Sequence, residues 1–265
     1  MIGVPSIIGS IYYGGATFFL FVWVIATLGS LEYRKIVQGK DDLFSKAILI
    51  GFVSLVILGY KINFNFSQIL LVIIFIMIIE LFSFREKPLY FISTMIFGVS
   101  WIGMMLGSLV LLRDLPAIGF EIVTMVFVTV WCCDSFAFIA GKYFGEMKIL
   151  PSISPKKTWL GTMAGILGSI ITVYGFCIYG DVLGFNFIEI KRIFNFNDVL
   201  YFGLMVGVVG QLGDFFESML KREAGIKDSS KILKGHGGIL DRFDSIMFVA
   251  PSAYIYIDFI LIGRL

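Results

Sequence analysis

Residues 1–31 carry no charged side chain, and apolar runs of comparable length recur along the rest of the chain. A helix needs about 20 apolar residues to cross the hydrocarbon layer of a bilayer, whereas a membrane β-strand shows about ten residues of alternating polarity. The runs here are long and do not alternate, so they predict helices. Composition agrees: 58% of the 265 residues are apolar and 15% charged, against about 25% charged in an ordinary soluble domain. The expected fold is all-α and polytopic, with about nine transmembrane spans at 2–13, 16–31, 45–60, 67–84, 88–110, 118–139, 160–180, 198–218 and 246–262. Gly14-Gly15 offers a turn between the first two. The opening segment lacks the basic start of a cleaved signal peptide and reads as mature membrane chain. No internal repeat or low-complexity linker divides the chain, so residues 1–265 are read as one membrane-embedded domain.

Charge distribution tests this layout. With the N-terminus inside, sixteen Lys and Arg residues fall on inner segments and span ends, while only Lys61, Arg113, Lys191, Arg192 and Arg264 fall outside. That asymmetry is the positive-inside pattern. The bases are separated by membrane-length apolar runs, which excludes a nucleic-acid-binding stripe. Cys132, Cys133 and Cys177 form neither a CxxC pair nor a zinc spacing, and His236 is the only histidine, so a polyhistidine metal site is excluded as well.

Two inner loops, 140–159 and 219–245, are long, charged and punctuated by glycine. The helices entering them carry acids that membrane depth disfavours unless they are paired, hydrated or cation-bound: Asp134 and Asp214. Each has an alternative reading as a polar residue at the interface. Asp214 has company, because Glu217, Ser218 and Lys221 follow at i+3, i+4 and i+7 on one helical face, with Arg222 next. Asp241 and Asp244 sit three apart at the start of the last span, with Arg242 beside them. Oxygen ligands of this kind suit magnesium, commonly bound together with substrate phosphates. The run Lys234-Gly235-His236-Gly237-Gly238 reads as a backbone nest or a tight turn near phosphate. In Ser154-Pro155-Lys156-Lys157-Thr158, Pro155 fixes a turn, the lysines bring positive charge and Thr158 suits a helix N-cap. A lysine pair facing lipid headgroups would look the same.

Taken in order, these residues become specific. Ser218-Met219-Leu220-Lys221-Arg222, Lys227-Asp228, His236-Gly237-Gly238, Asp241-Arg242 and Asp244 resemble the signature of the phosphatidate cytidylyltransferase (CDP-diacylglycerol synthase) family. The resemblance extends through Gly213-Asp214 and Glu217, through Ser154 to Trp159 with Gly161, and through Asp134, Phe136-Ala137 and Gly141. It covers about residues 131–161 and 210–245. Lys234 stands where the family often has Pro or Gly, and Leu160 where it often has Glu.

The resemblance implies transfer of CMP from CTP to phosphatidate, giving CDP-diacylglycerol and pyrophosphate. It implies a magnesium requirement, with a monovalent cation such as K+ as a companion. It also implies a homodimer with a polar cavity open to cytosol and membrane lipids, in a bacterial inner membrane with the active site facing the cytoplasm. Metal binding is expected at Asp214 and Asp241, with Asp134 a further candidate. Lys221, Asp244, Asp214 and Asp241 are the expected catalytic set, with Asp244 paired to Lys221. Substrate contacts are expected from Ser154, Lys156, Lys157, Thr158, Arg222, Lys227, Asp228, His236, Gly237, Gly238 and Arg242. The competing readings are a related CTP-dependent enzyme with another lipid acceptor, and a transporter whose path is marked by Asp134 and Asp214.

Overall fold

A computed structural model describes residues 3–38, 43–62, 66–83, 85–180, 188–230, 237–261 and 263. Each apolar run is helical. In chain order the helices are α1 (Gly3–Tyr13), α2 (Gly15–Gln38), α3 (Leu43–Lys61), α4 (Phe66–Leu81), α5 (Pro88–Gly98), α6 (Gly107–Arg113), α7 (Gly119–Phe144), α8 (Trp159–Tyr179), α9 (Ile188–Ile193), α10 (Phe196–Glu223) and α11 (Leu240–Tyr256). A π-helical segment, Val99–Leu106, joins α5 to α6 into one rod, and another, Ile257–Leu261, continues α11.

Seven of these rods are long and apolar enough to cross a membrane: Gly15–Val37, Leu43–Lys61, Pro88–Arg113, Gly119–Phe144, Trp159–Tyr179, Phe196–Glu223 and Leu240–Leu261. Nine were expected; among the described residues seven meet this length and apolarity. The other two expected spans, 2–13 and 67–84, are helices of 11 and 16 residues. At 1.5 Å per residue these reach only about 16 and 24 Å, short of a hydrocarbon layer of about 30 Å. The turn between α1 and α2 does fall at Gly14 and Gly15, whose φ values of 60° and 49° put both in the left-handed region that favours glycine.

Contacts at the helix termini sort the bundle into two ends. At one end Lys61 pairs with Asp114 at 2.7 Å and Arg113 Nε donates to the Ile11 carbonyl at 2.9 Å. At the other, Tyr33 Oη donates to the Thr94 carbonyl at 2.8 Å, and Arg85 stacks 3.7 Å over the Phe91 ring. Short as it is, α4 therefore leads from the Lys61 end to the Arg85 end.

The core sits between α2, α3, the α5–α6 rod, α7, α10 and α11, around Phe18, Tyr33, Trp101, Phe127 and Phe202. A second seam, between α7, α8 and α10, is built on small residues that let backbones approach. A Cβ on Gly203 would lie 2.6 Å from Ile170 Cα, and one on Gly161 would lie 2.7 Å from the Ala137 carbonyl oxygen. This close seam sets how the Asp134 and Asp214 helices face one another.

Candidate functional site

The expected polar loops are shorter than the sequence reading placed them, because both preceding helices run on. Helix α7 continues to Phe144 and stops where Gly145 turns extended, and α10 continues to Glu223. Beyond α7 the chain makes a small antiparallel bridge between Lys148 and Thr158, with Ile149 N donating to the Lys157 carbonyl and Trp159 N to the Met147 carbonyl. Thr158 then caps α8, its hydroxyl accepting from Gly161 N at 3.1 Å. The predicted N-cap is correct, and it commits the Thr158 side chain, 2% exposed, to the helix.

Between the end of α7, this loop and the middle of α10 lies a cavity of about 780 Å³. Asp134, Asp214 and Gln211 line it with Lys142, Lys148, Lys156 and Lys157. Lys157 Nζ meets Asp214 Oδ2 at 2.6 Å and lies 4.2 Å over the Phe215 ring. Ser218 Oγ reaches the other Asp214 oxygen at 3.4 Å, as the i, i+4 spacing requires. Phe138, also on the cavity wall, is 65% exposed on the apolar face of α7. Lys142 and Lys148 were legible only as positive-inside charges; their convergence on the cavity needs the turn after Gly145.

Two turns further along the same face of α10, Lys221 forms ion pairs with Glu217 and, at 2.5 Å, with Asp241. This corrects the expected Lys221–Asp244 pair. Helices α10 and α11 run antiparallel, so Asp241, a turn before Asp244, comes level with Lys221. Asp244 lies deeper, beside Gly213, where it is close enough to Asp214, Glu217 and Asp134 for their charges to interact. Its own Oδ1 accepts from Ser245 N at 2.6 Å.

Asp241 is fully engaged. Besides Lys221 on Oδ1, its Oδ2 accepts from Gly238 N at 2.7 Å, from Ser229 N at 3.0 Å and from Ser229 Oγ at 2.9 Å. Gly237, with φ 77°, wraps over it. The Gly237-Gly238 backbone thus cradles a carboxylate of the protein itself. His236 and Lys234 lie outside the described residues.

The remaining expected contacts are dispersed. Arg222 donates to the Ile153 carbonyl at 3.1 Å and the Ile226 carbonyl at 3.2 Å, so its guanidinium ties the lysine loop to the end of α10. Ser154 sits in the turn that ends at Lys157, accepting from Lys157 N through its carbonyl at 3.3 Å. Lys227, Asp228 and Arg242 are exposed, and none of them lines the cavity. Glu32 on α2 is among the buried acids that the sequence does not mark, and its carboxylate accepts from Ser229, Ser230, Ile239 and Leu240.

Among the described residues no group of three or more His, Cys, Asp or Glu side chains forms a ready metal site. Magnesium does not need one, since it is commonly held by one or two carboxylates with substrate phosphates and water completing the shell. Asp134 and Asp214, all-oxygen donors on one polar cavity, fit that mode. Asp241, with both oxygens engaged, fits it only if those partners let go.

The family model described as the cytidylyltransferase family matches residues 1–260. The chain belongs to the cytidylyltransferase family. Within it, the chain is 42% identical over 132 residues to the phosphatidate cytidylyltransferase of Thermotoga maritima, covering 49% of this chain and 47% of that protein. It is 35% identical over 189 residues to the phosphatidate cytidylyltransferase of Bacillus subtilis, covering 71% of this chain and 65% of the relative. The chain spans less than two thirds of the length of these curated relatives.

Proposed function

We propose that this chain transfers CMP from CTP to phosphatidate at the cytoplasmic face of the membrane, releasing pyrophosphate. The observation that carries this reading is the composition of one cavity wall. Four lysines and two aspartates surround a space of about 780 Å³, and the same wall carries the exposed, apolar Phe138. A nucleotide can enter from water while a phosphatidate headgroup enters from the side with its acyl chains still in lipid. Withdrawing those chains would cost about 0.8 kcal/mol per methylene.

In the proposed reaction a phosphate oxygen of phosphatidate forms a bond to the α-phosphorus of CTP, and the bond to the bridging β-phosphate oxygen breaks. Both reactants are anions, so the residues work mainly against repulsion. Lys142, Lys148, Lys156 and Lys157 supply cations to the triphosphate; Lys157 exchanges its Asp214 partner for a phosphate as the nucleotide enters. Lys221, held between Glu217 and Asp241, presents a fixed ammonium two turns beyond Asp214 on the same face of α10. The phosphatidate phosphate is ionised near neutrality, so no strong base is required of Asp244, whose place is to orient. Arg222 holds the lysine loop against α10, and the exposed Lys227 and Arg242 meet lipid headgroups at the rim. Asp214 with Asp134 would hold magnesium, which supplies charge neutralisation on the pyrophosphate leaving group.

The test is pyrophosphate release by the purified protein in mixed micelles. Release that requires both CTP and phosphatidate, and that is lost in Asp214→Asn, is the expected result. Release without phosphatidate, or undiminished in Asp214→Asn, would contradict the reading.

A further inference from the structure

Glu32 lies on α2, far in sequence from the motif-bearing stretches, and is fully buried. A carboxylate in that position is costly unless its lone pairs are filled. Here they are. Oε1 accepts from Ser230 Oγ at 2.5 Å and Ile239 N at 2.9 Å; Oε2 accepts from Ser229 Oγ at 3.0 Å and Leu240 N at 2.9 Å. Ile239 and Leu240 open α11, whose first amides have no partner within the helix. Ile239 makes no side-chain cap of its own. Glu32 therefore performs the capping from another helix, and its negative charge sits at the positive end of the α11 dipole.

The same donors serve the site. Ser229 Oγ lies 2.9 Å from Asp241 Oδ2 as well as 3.0 Å from Glu32. Gly238, which donates to Asp241, has no room for a side chain, since a Cβ there would lie 2.5 Å from Glu32 Oε2. The chain of contacts runs Glu32, the Ser229 hydroxyl and first turn of α11, Asp241, then Lys221. We propose that Glu32 is a positioning residue for cytidylyl transfer: it sets the height and rotation of the first turn of α11, and through Asp241 it fixes the Lys221 ammonium. The proposal rests on the reading of this site as a nucleotidyl-transfer site.

The experiment uses the full chain in phosphatidate-containing proteoliposomes, comparing wild type, Glu32→Gln and Glu32→Asp. Three quantities are read: kcat and KM for CTP, hydrogen exchange across residues 227–241, and the unfolding midpoint. In Glu32→Gln an amide nitrogen faces protein donors. The expected result is a kcat lowered about 10- to 100-fold, the scale of an ångström-sized misplacement. KM for CTP should change less than about threefold, since the cavity lysines are untouched. Exchange should accelerate at Ile239 and Leu240 and not in α7 or α8, while Glu32→Asp, which keeps the charge, regains part of kcat. Unchanged kcat and exchange in Glu32→Gln would overturn the proposal, and so would an exchange increase spread evenly over all helices. If wild type transfers no CMP, the functional reading fails, and local against uniform exchange still decides whether Glu32 holds this turn.

Discussion

Lys221 is the residue whose removal the structure makes most consequential. Its side chain is 11% exposed and lies between Glu217, fully buried, and Asp241, 12% exposed. Asp241 has loop donors besides, whereas among the described residues no hydrogen-bond donor other than Lys221 reaches either oxygen of Glu217. Replacing Lys221 by Met keeps most of the length of the side chain and leaves the buried Glu217 without its counter-charge. Breaking a buried pair from one side costs about 3–5 kcal/mol, which is roughly two to four powers of ten in the folded-to-unfolded ratio. Adding Glu217→Gln to Lys221→Met removes the stranded charge, so the double variant should recover about half of that loss or more. The assay is equilibrium unfolding in detergent, followed by helical circular dichroism, on wild type, both single variants and the double variant, read as a double-mutant cycle. A Lys221→Met protein as stable as wild type would refute the reasoning. So would a double variant no more stable than Lys221→Met.

Other perturbations separate the roles of individual residues. Asp214→Asn should abolish transfer with an unfolding midpoint within a few degrees of wild type, because Asp214 is half-exposed in the cavity; Asp241→Asn should lower both, because Asp241 holds Lys221 and the Ser229–Gly238 turn. Arg222→Gln loses two bonds to backbone carbonyls at an exposed position; stability should fall by less than about 1.5 kcal/mol, while KM for CTP rises as the lysine loop loosens. Gly203→Val places a branched side chain against Ile170 and should destabilise the α8–α10 seam by about 1–3 kcal/mol, seen as a lower unfolding midpoint.

What could be read in advance was whatever lies along one helix. The apolar runs marked every long span, the i, i+3, i+4 and i+7 spacing put Asp214, Glu217, Ser218 and Lys221 on one face of α10, and Pro155 to Thr158 announced the start of α8. Contacts between helices were not readable this way. That Lys221 meets Asp241 depends on the antiparallel register of α10 and α11, which no single-helix spacing contains. That Arg222 spends its guanidinium on two carbonyls depends on where the lysine loop folds back. Nothing beside Glu32 in the sequence marks it, because its four donors come from the far end of the chain. At α1 and α4 the apolar runs gave helices of 11 and 16 residues, shorter than the usual crossing length, because apolarity marks a helix as buried in lipid or protein without fixing its length.

The most direct test of the central claim follows the phosphorus atoms. Proteoliposomes containing phosphatidate and magnesium would be given CTP radiolabelled at either the α- or the γ-phosphate, and the lipid fraction counted. Label entering lipid from α-labelled CTP alone, in a phosphatidate-dependent manner, is the predicted result. Label entering from the γ position, or none from α with protein shown to be folded and to bind CTP, would contradict cytidylyl transfer to phosphatidate.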